Sequence, residues 1–567
     1  MTSESTGKLR AANVLVTALV AHGVDRVFCV PGESYLPLLD AIHDTPEIDL
    51  IVTRHEGGAG FMAVADAKCT GRPGVCLVSR GPGAMNAAIA VHTAEQDAVP
   101  LILIVGQVST AERGRGAFQE IDYVKTFSDM AKDIWEVSQG SRLAETFARA
   151  WASSSSGTPG PVVLAIAEDA LSQLSNNARV TVQRTIASEP GQHTIEAVAQ
   201  LLRGAQRPIL IAGGALGSVA GRHALAVAAQ AHHVPVVLSY KHQDLFDNRA
   251  SLYGGYLGFK IPKSQVALFS EADLVLAVGT RLTDVTTQNY RFPRAPQTDQ
   301  VLIHVYPDPS QLGRIFRTDH TIAADPVQFL EQLAERHYSP TPERFEWSRR
   351  LRLAVESLAA YDPKLRSDGI EFGALVSAVC RRAKQDAVLC VDAGNFSSWV
   401  HRLWPMRPSN LLIGTVGGAM GIGVPGGIAA ALRFPQRQVI TFVGDGGLMM
   451  TGAELATAAQ YNARLAVFVS TNGTYGTIRQ HQELAYPHRV SGTDLYRVDV
   501  RQFANACGAL GLAISTLDDI DGVVEQALAH TGPVVVDVNT SIESLSAYMT
   551  LTQAREFGGR THDINRT

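Results

Sequence analysis

Cysteine is scarce in this chain. There are six in 567 residues (Cys29, Cys69, Cys76, Cys380, Cys390, Cys507), none of them in a C-x-x-C pair and most in apolar, strand-like stretches. That pattern excludes a disulfide scaffold, argues against structural zinc, and predicts reduced core thiols of a cytoplasmic protein. Long apolar runs are also missing, so no transmembrane span is expected. The opening MTSESTGKLR lacks the apolar core of a signal peptide. Charge of one sign is not in excess: the formal balance is −5, which gives no electrostatic case for nucleic acid.

What the chain does have is length and alternation. At 567 residues it has room for about three domains. Short apolar runs alternate with helical patterns from the start: Val27 to Val30, Leu50 to Thr53, Gly74 to Ser79 and Leu101 to Val105. This is the pattern of a parallel sheet with crossover helices. Leu9 to Ala21 reads as an amphipathic helix ended by Gly23. Ser-, Pro- and Gly-rich patches after Ala150 put a first boundary near 185, and the charged, Pro-interrupted stretch from Ser339 to Asp368 reads as a second linker. The predicted fold class is α/β, with three doubly wound parallel-sheet domains over 1–185, 190–340 and 368–540. A tail over 541–567 is expected to be a mobile arm or lid.

The organising stretch runs from Val443 to Gly476. A buried strand, Val439 to Val443, stops at Gly444-Asp445-Gly446-Gly447, where glycines let backbone N–H groups approach an anion and a following helix aims its dipole at the same place. Thr451-Gly452-Ala453-Glu454 fits a capping box for that helix. The next strand, Leu465 to Ser470, ends at Thr471-Asn472-Gly473-Thr474. Asp445 and Asn472 therefore lie at neighbouring strand ends and can converge on one crevice. A carboxylate, an amide oxygen and a backbone carbonyl beside bound phosphates is a donor set that suits Mg²⁺. Other strand-end loops carry Pro31-Gly32-Glu33-Ser34, Arg54-His55-Glu56 and Arg80-Gly81-Pro82-Gly83. On its residues alone Glu56 reads either as an acid stabilised by a helix N-terminus or as a desolvated carboxyl with a raised pKa.

These motifs together resemble the thiamine diphosphate (ThDP) enzymes. GDG followed by Asn472 resembles the family's GDG…NN motif, with Thr471 in place of the first Asn; RHEGGAGFMA, RGPGAMN and AFQE resemble segments of the acetohydroxyacid synthase and pyruvate oxidase group. The resemblance implies roles residue by residue. Asp445, Asn472 and the Thr474 carbonyl would hold Mg²⁺. Gly444, Gly446, Gly447, Tyr475, Gly476 and the Gly394-Asn395-Phe396 loop would lie along the diphosphate, although Asn395-Phe396 stands where synthases have Gln-His. Gly32, Pro82 and Asn86 would approach the aminopyrimidine, and Glu56 would exchange a proton with its ring nitrogen. Gly418 and the Met420 carbonyl would receive the 4′-amino group, and Met450 would wedge the cofactor into its bend; on residue type alone Met450 is equally core filler. Gln119 and Lys132 would line the channel above the thiazolium, or else sit in solvated loops.

The same resemblance implies decarboxylation of a 2-oxo acid such as pyruvate, with ligation to a second carbonyl compound, by a homodimer or homotetramer. His481, where anabolic synthases carry Trp, reads as a pocket proton donor or a surface histidine. Relatives bind FAD, ADP or nothing in the middle domain. Here Tyr306 replaces the first Asp of H-I-D-I-D and SYKHQDLFDN replaces the usual loop, departures that favour a vacant nucleotide fold over FAD. An acyl-CoA lyase or decarboxylase and a non-catalytic paralogue are the competing readings.

Overall fold

β-Branched and aliphatic runs too short for helices, each closed by glycine or a polar turn, make the strands of this protein. A computed structural model describes residues 8–175, 180, 182, 187–259 and 261–564. Among them are three six-stranded parallel sheets. The first contains β1 (Arg26–Cys29), β2 (Asp49–Val52), β3 (Gly74–Ser79), β4 (Leu101–Gln107), β5 (Asp133–Val137) and β6 (Pro161–Ala167). The second contains β7 (Pro208–Ala212), β8 (Val236–Leu238), β9 (Tyr253–Tyr256), β10 (Leu274–Val278), β11 (Val301–Tyr306) and β12 (His320–Ala323). The third contains β13 (Val388–Val391), β14 (Leu411–Ile413), β15 (Val439–Gly444), β16 (Ala466–Thr471), β17 (Leu510–Ile514) and β18 (Val534–Asn539). The expected α/β class with three parallel-sheet domains is what the chain forms.

Strand order separates the domains into two kinds. The first sheet runs β2-β1-β3-β4-β6-β5 and the third β14-β13-β15-β16-β18-β17, the same permutation, whereas the middle sheet runs β9-β8-β7-β10-β11-β12. In each sheet the order reverses beside the first strand, so the carboxyl ends there flank a crevice. The outer domains also share one apolar core, which runs from Phe28 and Val78 through Ala59 and Ala63 to Ile428, Val443 and Leu455. The middle domain has its own.

Small residues bring the outer domains together. Helix Glu56–Thr70 packs on helix Gly423–Arg433, and a Cβ at Gly426 would lie 3.6 Å from that of Ala65. A buried ion pair fastens the rim. The Arg433 guanidinium donates to Asp66 at 2.8 and 3.0 Å and to both Asp25 oxygens at 2.8 Å. These bonds pull the Asp25 carboxyl down to about 2, while burial pushes Asp66 up against the same arginine.

Three local expectations fail. The stretch read as a charged linker contains the helix Pro342–Ala359, capped by Thr341, which buries Arg344, Trp347 and Leu351 against the middle domain. Its exposed face carries the charges that look like a linker in one dimension. The tail holds the helix Leu551–Ile564, whose Leu551 and Ala554 are buried and whose Arg555 donates to Glu483 at 2.8 Å. It is a docked element. The capping box does not form: the helix Leu455–Gln460 does follow Thr451–Glu454, but neither side chain makes a cap bond. The boundary near 185 lies outside the described residues. No helix among them is long and apolar enough to cross a membrane.

Replacing Arg433 with Met strands Asp66 without a partner, and the expected loss is about 3 kcal/mol of unfolding free energy at neutral pH, the low end for a broken buried pair because Asp25 is half exposed. The Asp25 share is complete above its ordinary value of 3.8 and is lost as pH falls toward 2. The deficit of Arg433→Met should therefore narrow over that window in urea titrations.

Candidate active site

The GDGG turn is built around one carboxylate. β15 and β16 are paired in parallel with Gly444 opposite Ser470, so their carboxyl ends are adjacent. Asp445 Oδ1 accepts the amide of Gly446 at 2.9 Å, and Oδ2 accepts those of Asn472 at 3.1 Å and Gly473 at 2.7 Å. Burial pushes this carboxyl up and the three amides oppose the shift. Asn472 Oδ1 accepts the amide of Thr474 at 3.0 Å, and the Thr474 hydroxyl donates to the Thr493 carbonyl at 2.9 Å. Tyr475 N–H reaches the same carbonyl at 2.8 Å. The loop Asn472–Gly476 is thereby pinned beside Asp445.

Glycine is required where this turn is crowded. A Cβ on Gly446 would lie 2.7 Å from the Tyr475 ring, and one on Gly447 2.8 Å from Asp392 Oδ2. Asp392 is fully buried, accepts from the amides of Ala393 at 2.7 Å and Gly421 at 3.0 Å, and is pushed up to about 6 by burial. Thr451 donates to the Gly421 carbonyl at 2.7 Å. At the other end of this loop Asp97, the last residue of helix Arg80–Asp97, accepts from Thr415 Oγ1 and from the amides of Val416 and Gly417 at 3.1, 2.7 and 3.1 Å. Gly418 and Met420 are held between these two anchors, with Gly418 exposed at φ 71°. Met450 lies beside Gly421 and is 51 % exposed, as Met449 is at 49 %.

The Gly394 loop departs from its expected use. Phe396 packs over Gly394 and Gly444 and meets Phe372 edge-on. The Asn395 side chain donates to Gln480 Oε1 at 2.8 Å. Both side chains are spent inside the fold, which leaves backbone to line the crevice.

The acid lies across the domain junction. Glu56 opens helix Glu56–Thr70, capped by His55 Nδ1, which accepts the Gly57 amide at 3.0 Å. The carboxylate accepts from Asn86 Nδ2 at 2.9 Å, and Gly83 stands close to it. Of the two sequence readings, the helix N-terminal acid is the one seen in the single chain: Glu56 stands in the first turn and is half-buried, with a polar neighbour in Asn86. Gly32 packs against Ser79, Pro82 is exposed, and Gln119, at φ 64°, presents its carbonyl to the Gly81 amide at 3.1 Å. Phe118 next to it is 72 % exposed and Met85 45 %. Lys132 does not line a channel: its ammonium donates to the carbonyls of Ser153, Ser156 and Thr158 at 2.6, 2.7 and 2.9 Å, closing the end of helix Leu143–Ser155. His481 is an exposed residue of helix Gly476–Ala485.

Sequence reasoning missed Asp97, Asp392 and Glu454. Asp97 carries no motif signal, Asp392 precedes the Gly394 loop without a signal of its own, and Glu454 is hidden inside an apparent capping box.

A loop of the middle domain packs on the carboxyl end of its first strand. His242 lies over Gly214, where a Cβ would be 2.6 Å from Nε2, and Gly213 abuts Thr280. Asp244 pairs with Arg222 at 2.5 Å and accepts the Leu412 amide at 3.1 Å. Asn248 exchanges bonds with the Met406 backbone at 2.9 and 3.1 Å. Lys241, buried at φ 64°, donates to the Val391 carbonyl at 3.3 Å, and burial pushes it down to about 8. A cleft of about 270 Å³ opens where the three domains meet, lined by Arg281 and Arg314 against Glu95 and Asp284, with Val416, whose amide Asp97 holds, also in its wall.

Comparison with known proteins matches this layout domain by domain. Residues 9–126 match the N-terminal TPP binding domain of thiamine pyrophosphate enzymes, 195–333 their central domain and 392–538 their C-terminal TPP binding domain. The chain is 30 % identical over 546 residues to the acetolactate synthase large subunit of Parasynechococcus marenigrum, covering 94 % of this chain and 87 % of the relative. It is 30 % identical over 538 residues to the acetolactate synthase isozyme 3 large subunit of Escherichia coli, covering 92 % of each. A putative thiamine pyrophosphate-containing protein of Bacillus subtilis, YdaP, is 29 % identical over 564 residues, 96 % of this chain and 94 % of that one.

Proposed function

Because the chain belongs to the thiamine pyrophosphate enzyme family, with acetolactate synthase large subunits among its full-length relatives, we propose that it decarboxylates a 2-oxo acid such as pyruvate and joins the remaining acyl unit to a second carbonyl compound. The observation that carries this reading is the oxygen set of Asp445, Asn472 and Thr474, pre-oriented by amides of two adjacent strand ends. It suits a hard divalent cation that also takes phosphate oxygens, so Mg²⁺ and the diphosphate of ThDP fit here. Among the described residues no group of three His, Cys, Asp or Glu forms a competing metal site. ThDP supplies the nucleophilic carbon and accepts the electrons released with CO₂.

The chain's own residues do the rest. Glu56 moves a proton to and from the ring nitrogen of the aminopyrimidine, which calls for a carboxyl group held at one position. Asn86 holds it there. Asp392 and Thr451 fix Gly421, and through it the Met420 carbonyl that receives the 4′-amino group. Met450 supplies apolar shape beneath the bend. Exposed apolar side chains adjoin the proposed site residues in the chain: Met85 beside Asn86, Phe118 beside Gln119 and Met449 beside Met450. Large exposed apolar groups around an active site fit burial by a second copy of the chain, so we assign a homodimer at least, with the site completed across the interface. Six free cysteines fit a cytoplasmic enzyme. His242 lies over Gly214 at a strand end where a phosphate would approach, which supports the reading of a middle domain without FAD.

Three outcomes test this. Purified protein should lack a flavin absorption band and, given ThDP and Mg²⁺, release CO₂ from pyruvate with a 2-hydroxy-2-methyl-3-oxo acid as product; no release across a panel of 2-oxo acids overturns the reading. Asp445→Ala should weaken ThDP binding in the presence of Mg²⁺ at least about tenfold by calorimetry, the effect of losing a charged ligand. Glu56→Gln should retain the cofactor but slow hydrogen–deuterium exchange at its C2 by about 10²–10⁴-fold, the usual reach of general acid–base assistance.

A further inference from the structure

Glu454 is 1 % exposed, and its carboxylate serves the other domain. Oε1 accepts the backbone amides of Arg54 at 3.1 Å and His55 at 3.0 Å. Oε2 accepts the Arg54 amide at 3.2 Å and the Thr457 hydroxyl at 2.6 Å. All its neighbours are donors, which matches an ionised carboxylate, an acceptor only. The segment around it continues the pattern. Tyr461 Oη accepts the Val52 amide at 2.8 Å and donates to the Leu50 carbonyl at 3.3 Å, and Gln460 Oε1 accepts from the Arg54 guanidinium at 2.6 Å. β2 is an edge strand, so its outward backbone groups have no strand partner. Side chains of the turn Gly452–Glu454 and the helix Leu455–Gln460, with Tyr461 beyond it, supply the missing ladder. Gly58 completes the fit: a Cβ there would lie 2.2 Å from Glu454 Oε1.

We propose that Glu454 is a positioning residue for Glu56, fixing from the diphosphate-binding domain the backbone of the two residues that precede the acid. The inference rests on the reading of Glu56 as the group that serves the aminopyrimidine. Glu454 follows the Asp445 helix directly, so the cation motif and the acid's loop are one rigid unit within a chain. Without the carboxylate, the amides of Arg54 and His55 lose their acceptor and the start of helix Glu56–Thr70 is free to shift. A displacement of an ångström is enough to cost about a hundredfold in a proton transfer.

The test compares Glu454→Ala, Gly58→Ala, Glu454→Gln and Glu56→Gln. In cofactor-free protein, amide hydrogen exchange of the peptide spanning 50–58 should quicken on the order of a hundredfold in Glu454→Ala and Gly58→Ala. In Glu454→Gln, whose Oε1 still accepts both amides, it should stay near wild type. With ThDP and Mg²⁺ bound, C2 exchange should slow about ten- to a hundredfold in the first two variants, while cofactor affinity stays within about threefold and Glu454→Gln recovers most of the rate. If Glu454→Ala does not fold, Gly58→Ala decides, since alanine favours that helix. Wild-type C2 exchange in Glu454→Ala and Gly58→Ala beside a slow Glu56→Gln overturns the positioning role alone. A fall in cofactor affinity that matches the fall in rate reduces Glu454 to a structural part and also overturns it. A normal rate in Glu56→Gln overturns both this inference and the reading beneath it.

Discussion

The carboxylate of Asp445, closed onto the amides of Asn472 and Gly473, is the bond on which the site depends. Two parallel strands end side by side with their backbone groups unpaired, and the side chain at the end of one satisfies the amides at the end of the other. This closes the crevice onto a single side chain. Burial alone would drive that carboxyl toward its neutral form; the amides stabilise the charge that a cation needs. Pinning of the Asn472–Gly476 loop to Thr493 and the packing of Tyr475 on Gly446 follow from the same closure.

That crevice is useful only if the acid's loop is set against it, and small residues make this possible. Gly58 and Gly60 let the helix behind Glu56 approach Glu454 and Ala90 closely. The shared core of the outer domains then grows through both sheets as one body. Their identical strand permutation means that two copies of one architecture face each other, each offering its own strand-end loops. One carries the Asp445 turn, the other the loop that leads into Glu56. The division of labour lies in the loops, since the scaffolds are alike.

Much of this was legible in the chain because the signals are local. GDGG after a β-branched strand, Asn472 after the next, and Glu56 after β2 all depend on a strand followed by a special turn, which a few neighbouring residues specify. What was not legible depends on partners distant in sequence. Thr451 and Glu454 carry the spacing of a capping box, but each finds a better partner across the fold, Gly421 in one case and Arg54 with His55 in the other. Asp97 looks like an ordinary end of a helix, and only the assembled fold brings Thr415–Gly417 to it. The helix Pro342–Ala359 reads as a linker because charges dominate its composition, while a narrow stripe of Arg344, Trp347 and Leu351 does the packing. Glu56 looks isolated in the text because Asn86 lies thirty residues on.

The loop from Ser239 to Asn248 fixes how the middle domain meets its neighbour. His242 is seated on Gly214, Asp244 is tied to Arg222 and to the Leu412 amide, and Lys241 reaches the Val391 carbonyl. The loop acts as a tenon of the same polypeptide, seated at one end in the middle domain and at the other in the seam beside β13. The spacing between the middle domain and the diphosphate-binding domain is therefore written in the gene.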